Sequence, residues 1–166
     1  MSLDLEGALR AVRLVVFDFD GVFTDNRVWV SASGEESVAC SRADGFGLRR
    51  LAEAGVDAFV LTTEAVPVAS ARAAKLGIEC IQGVDQKLPV LVEEASRRGI
   101  PLEETAFVGN DVNDGECLEA VGLPVVPADA WPEVRSRALW VLSRRGGEGC
   151  VRELCDAVWL AKRGRG

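Results

Sequence analysis

The sequence contains no histidine and no tyrosine. The first absence removes Ser-His and Cys-His nucleophile pairs and every histidine-ligated metal centre. The second removes a phenol as proton donor. Any chemistry falls to carboxylates, hydroxyls and lysines. No apolar run is long enough to span a membrane, and the N-terminus lacks the apolar block of a secretory signal. A basic excess is also missing. The 166 residues carry a net charge of −7, whereas a nucleic-acid binder presents a basic face. The cysteines, Cys40, Cys80, Cys117, Cys150 and Cys155, are odd in number and form no Cys-x-x-Cys pair. They read as free thiols of a reducing compartment, so a cytoplasmic location is expected. There is no internal repeat and no low-complexity segment. The length suits one domain, residues 1–166, with a real core.

What is present is organised around Leu14-Val15-Val16-Phe17-Asp18-Phe19-Asp20-Gly21. A short apolar run ending in a polar turn reads as a buried strand of a parallel sheet. Asp18 and Asp20 at i and i+2 share a face, roughly 6.5–7 Å apart along a strand. Like charges that close need a cation or a shared proton. With only oxygen donors nearby, the cation to expect is Mg²⁺. The plainer alternative is an Asp-Gly surface turn.

Downstream, alternating Arg27-Val28-Trp29-Val30, the Ser33-Gly34 turn and Ser37–Cys40 predict a β-hairpin flap over about 26–41. Asp44 is placed to cap a helix over about 45–54, with Phe46, Leu48 and Leu51 on or near one face. Strands are predicted near 56–61, 78–81, 105–108, 123–126 and 139–142. Helices are predicted near 66–76, from Lys87 onward, at 131–138 and at 149–162. In the helix after Lys87, Leu88, Leu91, Val92 and Ala95 recur at helical spacing. Residues 1–13 read as a lead-in helix, and the tail 162–166 as loose. Alternating strands and helices imply right-handed βαβ units. The expected fold is a three-layer α/β/α, Rossmann-like parallel sheet with the first strand central.

Strand ends of such a sheet lie along one edge. That edge gathers Asp18, Asp20, Thr62, Lys87, Asp111 and Asp114. Carboxylates with one lysine and one hydroxyl outline a metal and phosphate site. Thr62 also fits a capping hydroxyl, and Asp114 a helix N-terminal acid.

Asp18-Phe19-Asp20-Gly21-Val22-Phe23-Thr24-Asp25 resembles the first motif of the haloacid dehalogenase (HAD) superfamily of phosphatases. The chain resembles most its small capless branch, from about Leu14 to Trp159. That branch includes KDO 8-phosphate phosphatases and phosphatases of nonulosonate (KDN or sialic acid) 9-phosphates. The resemblance implies roles by position. Asp18 matches the nucleophile that forms an aspartyl-phosphate. Asp20 matches the general acid and then base. Asp18, the Asp20 backbone carbonyl and Asp111 match the Mg²⁺ ligands. Thr62 and Lys87 match phosphate clamps. Asp114 matches a residue outside the ligand set that orients Lys87 or a metal-bound water. Asn110 stands where many relatives carry aspartate, removing one charge beside the metal. The branch also implies a homotetramer in which the hairpin replaces a cap domain.

Thr62-Thr63-Glu64 resembles the nonulosonate phosphatases more than the Thr-Gly-Arg pattern of KDO 8-phosphate phosphatases. A KDN or N-acylneuraminate 9-phosphate is therefore the expected substrate, with KDO 8-phosphate the alternative. Glu64, Arg72 and Lys75 match substrate-binding positions. Glu64 and Lys75 lie about 16 Å apart along a helix, so the two cations would reach a neighbouring subunit's site. Otherwise Arg72 and Lys75 simply favour a helix C-terminus. The segment Arg145–Glu153 resembles the branch's Gly-Gly-x-Gly-x-x-Arg-Glu segment, which helps close an adjacent site. A receiver-type signalling module is disfavoured because the third strand ends in Gln82-Gly83 with no acceptor. A non-catalytic oligomerising domain is the remaining alternative of another class.

Overall fold

Alternation along the first strand decides the architecture. In the computed structural model, which describes residues 3–164, β1 (Leu14–Phe17) is buried on both faces. Val15 and Phe17 enter one apolar cluster, and Leu14 and Val16 the other. The first cluster is completed by side chains of α1 (Leu3–Ala11), α2 (Ala43–Glu53), α3 (Pro67–Leu76) and α7 (Cys150–Arg163). The second is completed from α4 (Lys87–Arg97), α5 (Gly115–Ala120) and α6 (Pro132–Arg135). Helices therefore cover both faces of the sheet, which is the expected three-layer fold.

The sheet has six parallel strands. From one edge they are β5 (Glu79–Ile81), β4 (Asp57–Leu61), β1, β6 (Thr105–Val108), β7 (Leu123–Val126) and β8 (Trp140–Val141). The order reverses on either side of β1, so the crevice beyond its C-terminal end is where this fold class binds ligands. The hairpin exists, but its ladder is short. β2 (Trp29–Val30) pairs with β3 (Glu36–Ser37), and both strands are exposed. No described helix is long and apolar enough to cross a membrane.

Several local expectations are corrected. Asp44 does not cap α2. The helix begins at Ala43, whose N–H is accepted by Ser41 Oγ at 3.2 Å. The N-cap position is Arg42, which makes no side-chain cap hydrogen bond, so Ser41 Oγ satisfies the first helical N–H from outside the helix, and Asp44 is turned inward to 1 % exposure. Phe46 consequently faces out, with Arg49 over its ring. On α4, Leu91 and Ala95 are buried but Val92 is exposed, because the sheet covers a narrower stripe than the apolar spacing suggests. The tail is helical through Arg163, while Arg165 and Gly166 lie outside the described residues.

Neither carboxylate oxygen of Asp44 makes a hydrogen bond among the described residues. Burial pushes its carboxyl from 3.8 to about 7, and the nearby Arg72 pulls it only part of the way back. The folded chain thus holds this proton at pH values where the unfolded chain has lost it. Stability contributed by the protonated form is present below the unfolded pKa and is lost as pH rises toward about 7. Asp44→Asn cannot ionise. Its melting temperature relative to wild type should rise by several degrees between pH 5 and pH 8, as read by thermal denaturation at both pH values.

Candidate active site

Four connections at the C-terminal edge of the sheet build one pocket. The turn after β1 supplies Asp18 and Asp20, and the end of β4 runs into Thr62, Thr63 and Glu64. The loop after β6 supplies Asn110, Asp111 and Asn113. Together with Asn26 these residues line a cavity of about 160 Å³. Lys87, the first residue of α4, approaches from below.

The turn after β1 is tight for a reason visible in its backbone. Gly21 has φ +77°, and a Cβ there would lie 2.0 Å from Asn110 Nδ2. Thr24 Oγ1 accepts from both the Gly21 and Asn26 N–H groups at 3.1 Å. Phe19 and Phe23 stack on the inner side and anchor the turn in the core.

The floor of the pocket is an ion-pair triad. Lys87 Nζ lies 2.8 Å from Asp18 Oδ1 and 2.7 Å from Asp114 Oδ1, and it is almost wholly buried. Asp18 Oδ1 also accepts the Phe19 N–H at 2.8 Å. Asp114 Oδ2 accepts the N–H groups of Asn110 and Asp111 at 2.8 and 3.3 Å. Gly109 is required there, since a Cβ would stand 2.4 Å from the Asp114 side chain. Asp111 turns one oxygen onto the Val112 N–H at 2.7 Å. Asp114 therefore acts from behind the loop, holding Lys87 and the backbone that presents Asp111.

Two carboxylates on one lysine leave surplus negative charge. Burial and the neighbouring Asp114 push Asp18 up to about 7, against the pull of Lys87. Burial lowers the Lys87 ammonium, but Asp18 and Asp114 outweigh it and the net shift is upward. Burial also raises Asp20, with Glu64 and Glu36 adding to it and Lys87 opposing. Such a site attracts a cation. Among the described residues, no group of three or more His, Cys, Asp or Glu side chains is placed so that it could hold a metal ion by itself. The candidate donors are two side-chain carboxylates on the cavity wall, Asp18 and Asp111, with the Asp20 carbonyl in the same turn as Asp18. That is an oxygen-only set with few protein ligands, which fits Mg²⁺ because Mg²⁺ keeps several waters.

Of the remaining sequence-derived residues, Thr62 is buried and its Oγ1 accepts the Glu64 N–H at 3.2 Å. Its hydroxyl therefore serves the turn while also lining the pocket. Glu64 lines this cavity and a second one of about 240 Å³ beneath the hairpin, bounded by Phe19, Asp20, Asn26, Arg27, Glu36 and Val68, among others. Arg72 and Lys75 line neither. Arg72 donates to the Ser41 carbonyl at 2.9 Å, and Lys75 is exposed. Sequence reasoning missed Asn26 and Glu36. Asn26 touches both cavities and has φ +64°, and an asparagine directly after a Thr-Asp turn was the available signal. Nothing in the sequence marks Glu36.

No protein-family model matches the chain. Individual relatives do. It is 34 % identical over 163 residues to the 3-deoxy-D-manno-octulosonate 8-phosphate phosphatase KdsC of Escherichia coli K12, covering 98 % of this chain and 87 % of that protein. The crystal structure of the corresponding phosphatase from Yersinia pestis superposes with a TM-score of 0.94 at 33 % identity, covering 98 % of this chain and 88 % of that one. The Moraxella catarrhalis phosphatase, solved with magnesium, phosphate and KDO, superposes at 0.93 with 28 % identity, covering 98 % and 94 %. The shared sequence and the superposition over nearly the whole chain have one conclusion: the chain belongs to the KdsC family of phosphatases, in the haloacid dehalogenase superfamily.

Proposed function

We propose that this chain is a magnesium-dependent phosphomonoesterase that hydrolyses KDO 8-phosphate through an aspartyl-phosphate on Asp18. The observation that carries the reading is the asymmetry of Asp18. Lys87 and the Phe19 N–H both sit on Oδ1, at the wall of an open pocket, which leaves Oδ2 for attack on phosphorus. In the first step Oδ2 bonds to phosphorus, the sugar oxygen leaves, and Asp20 gives that oxygen a proton. In the second step Asp20 takes a proton from water, which releases phosphate from Asp18. The raised affinity of Asp20 for its proton serves the first step. Asp18, Asp111 and the Asp20 carbonyl would hold Mg²⁺. When bound, it supplies charge that offsets the transferring phosphoryl group. Lys87 and the Thr62 hydroxyl hold the phosphoryl oxygens.

The substrate assignment follows the relatives, which are named as KDO 8-phosphate phosphatases. It reverses the preference drawn from Thr62-Thr63-Glu64. One observation still favours a nonulosonate 9-phosphate: Glu64 borders both cavities, where a hydroxyl or amide of a longer sugar acid would meet it. The cavity beneath the hairpin is where the leaving sugar fits, since it shares Asp20 with the phosphate pocket. The homotetramer belongs to the same proposal. Trp29 is 77 % exposed and Val28 and Val30 lie beside it, an apolar tip that one chain leaves uncovered. A partner seated there would bring its own Arg72 and Lys75 toward the sugar carboxylate.

With Mg²⁺ present, kcat/KM should be higher for KDO 8-phosphate than for KDN 9-phosphate, and Asp18→Asn should abolish phosphate release while keeping the wild-type circular dichroism. A preference for the nine-carbon ester reverses the assignment, and turnover by Asp18→Asn removes the nucleophile. Lys87→Ala leaves Asp18 and Asp114 buried without their cation, so unfolding in urea should show a loss of about 3–5 kcal/mol at neutral pH. Sedimentation should give a tetramer, and Trp29→Glu should shift it to smaller species.

A further inference from the structure

The turn carrying Asp20 is gripped from outside by a segment that the reaction does not use. The connection between β8 and α7 lies against it, backbone to backbone. The Gly147 N–H donates to the Val22 carbonyl at 3.0 Å, and Cys150 Sγ donates to the same oxygen at 3.2 Å. Gly146 is buried, and a Cβ there would stand 2.1 Å from the Gly21 carbonyl oxygen and 2.7 Å from that of Thr24. At Gly147, with φ +72°, a Cβ would lie 2.7 Å from the Asp25 nitrogen. Those contacts are with backbone atoms and cannot swing aside, so both positions admit only glycine.

The glycine pair is in turn held by Asp129. Its Oδ1 accepts the Gly146 N–H at 2.9 Å, and its Oδ2 lies 3.4 Å from Arg145 Nε. The neighbouring Ala128 N–H donates to the Arg144 carbonyl at 3.0 Å. Two residues beyond Asp129, the Trp131 N–H donates to the Asn110 carbonyl at 3.0 Å. Residues 128–131 therefore touch the glycine brace behind Asp20 and also the loop that presents Asp111.

We infer that Asp129, acting through Gly146 and Gly147, is a positioning residue that sets the Asp20 turn against the Asp111 loop. The inference rests on the phosphatase reading above and assigns the glycine-rich segment a task within its own chain. Proton transfer needs the acid within about 2.6–3.2 Å of the leaving oxygen. A displacement of about 1 Å is enough to cost about 100-fold. The pocket side of the turn is open to substrate, so its placement depends on the contacts behind it.

Asp129→Ala removes the acceptor, Asp129→Asn keeps an oxygen for the Gly146 N–H, and Gly146→Ala forces the brace away. With Mg²⁺ and KDO 8-phosphate, Asp129→Ala should lower kcat about tenfold or more with little change in KM, and Asp129→Asn should restore most of it. First-turnover release of nitrophenol from 4-nitrophenyl phosphate, whose departure needs no proton, should fall much less. Equal losses on both esters, or full activity of Asp129→Ala, overturn the positioning role. Amide exchange reads the brace itself without any substrate. Val22 and Phe23, whose N–H groups donate to the Phe19 carbonyl at 3.2 and 2.9 Å, should exchange faster in Asp129→Ala and in Gly146→Ala. Unchanged exchange at those amides overturns the brace. A wild-type chain inactive on every ester overturns the phosphatase reading and the positioning role together, and the exchange result then stands apart from both.

Discussion

A lysine buried between two carboxylates governs the chemistry of this fold. Lys87 lies under 3 Å from both Asp18 and Asp114, in a place where water cannot screen the charges. Desolvating three ions is costly, and the geometry offsets part of that cost through close ion pairs and backbone hydrogen bonds. Asp114 spends its second oxygen on two loop N–H groups. Asp18 spends one oxygen on Lys87 and Phe19. With both carboxylates ionised the triad carries one negative charge, and Asp20, Asp111 and Glu64 border the same space. A phosphate ester could not enter such a pocket alone. A divalent cation held at these oxygens would make the pocket receptive to an anion.

Much of this was legible before any coordinates. Four apolar residues followed by Asp18-Phe19-Asp20 announce a strand buried on both faces with its acids at the end, because period and burial are local properties. The parallel order followed from strand-helix alternation, and the edge of the sheet then gathered Thr62, Lys87 and Asp111 without further information. What stayed hidden depends on competition between neighbours. Asp44 satisfies every rule for a helix cap, but Ser41 reaches the first free N–H instead, and only the packing of α2 shows it. Val92 fits the apolar spacing of α4, yet the sheet is too narrow to cover it. The Arg145–Glu153 segment carried a resemblance but no indication that its glycines press on Gly21 and Thr24 of the same chain.

A protein without histidine has to tune a carboxyl for proton transfer near neutral pH, and the means are burial and like charge. Asp20 receives both. It is only half-buried, so desolvation raises its proton affinity without fixing it, and the remainder comes from Glu64 and Glu36. Both acids line the cavity beneath the hairpin, one just before α3 and one on β3. The hairpin is thus more than a cover. Through Glu36 it adds a small part of the field that raises the proton affinity of Asp20. A sugar bound there, or a neighbouring chain seated on Trp29, as proposed above, would displace solvent around Glu36 and Glu64 and strengthen their effect on Asp20 by lowering the local dielectric. In the proposed mechanism, substrate occupancy and the proton affinity of Asp20 are therefore coupled by the same few side chains, and closure over the cavity raises that affinity.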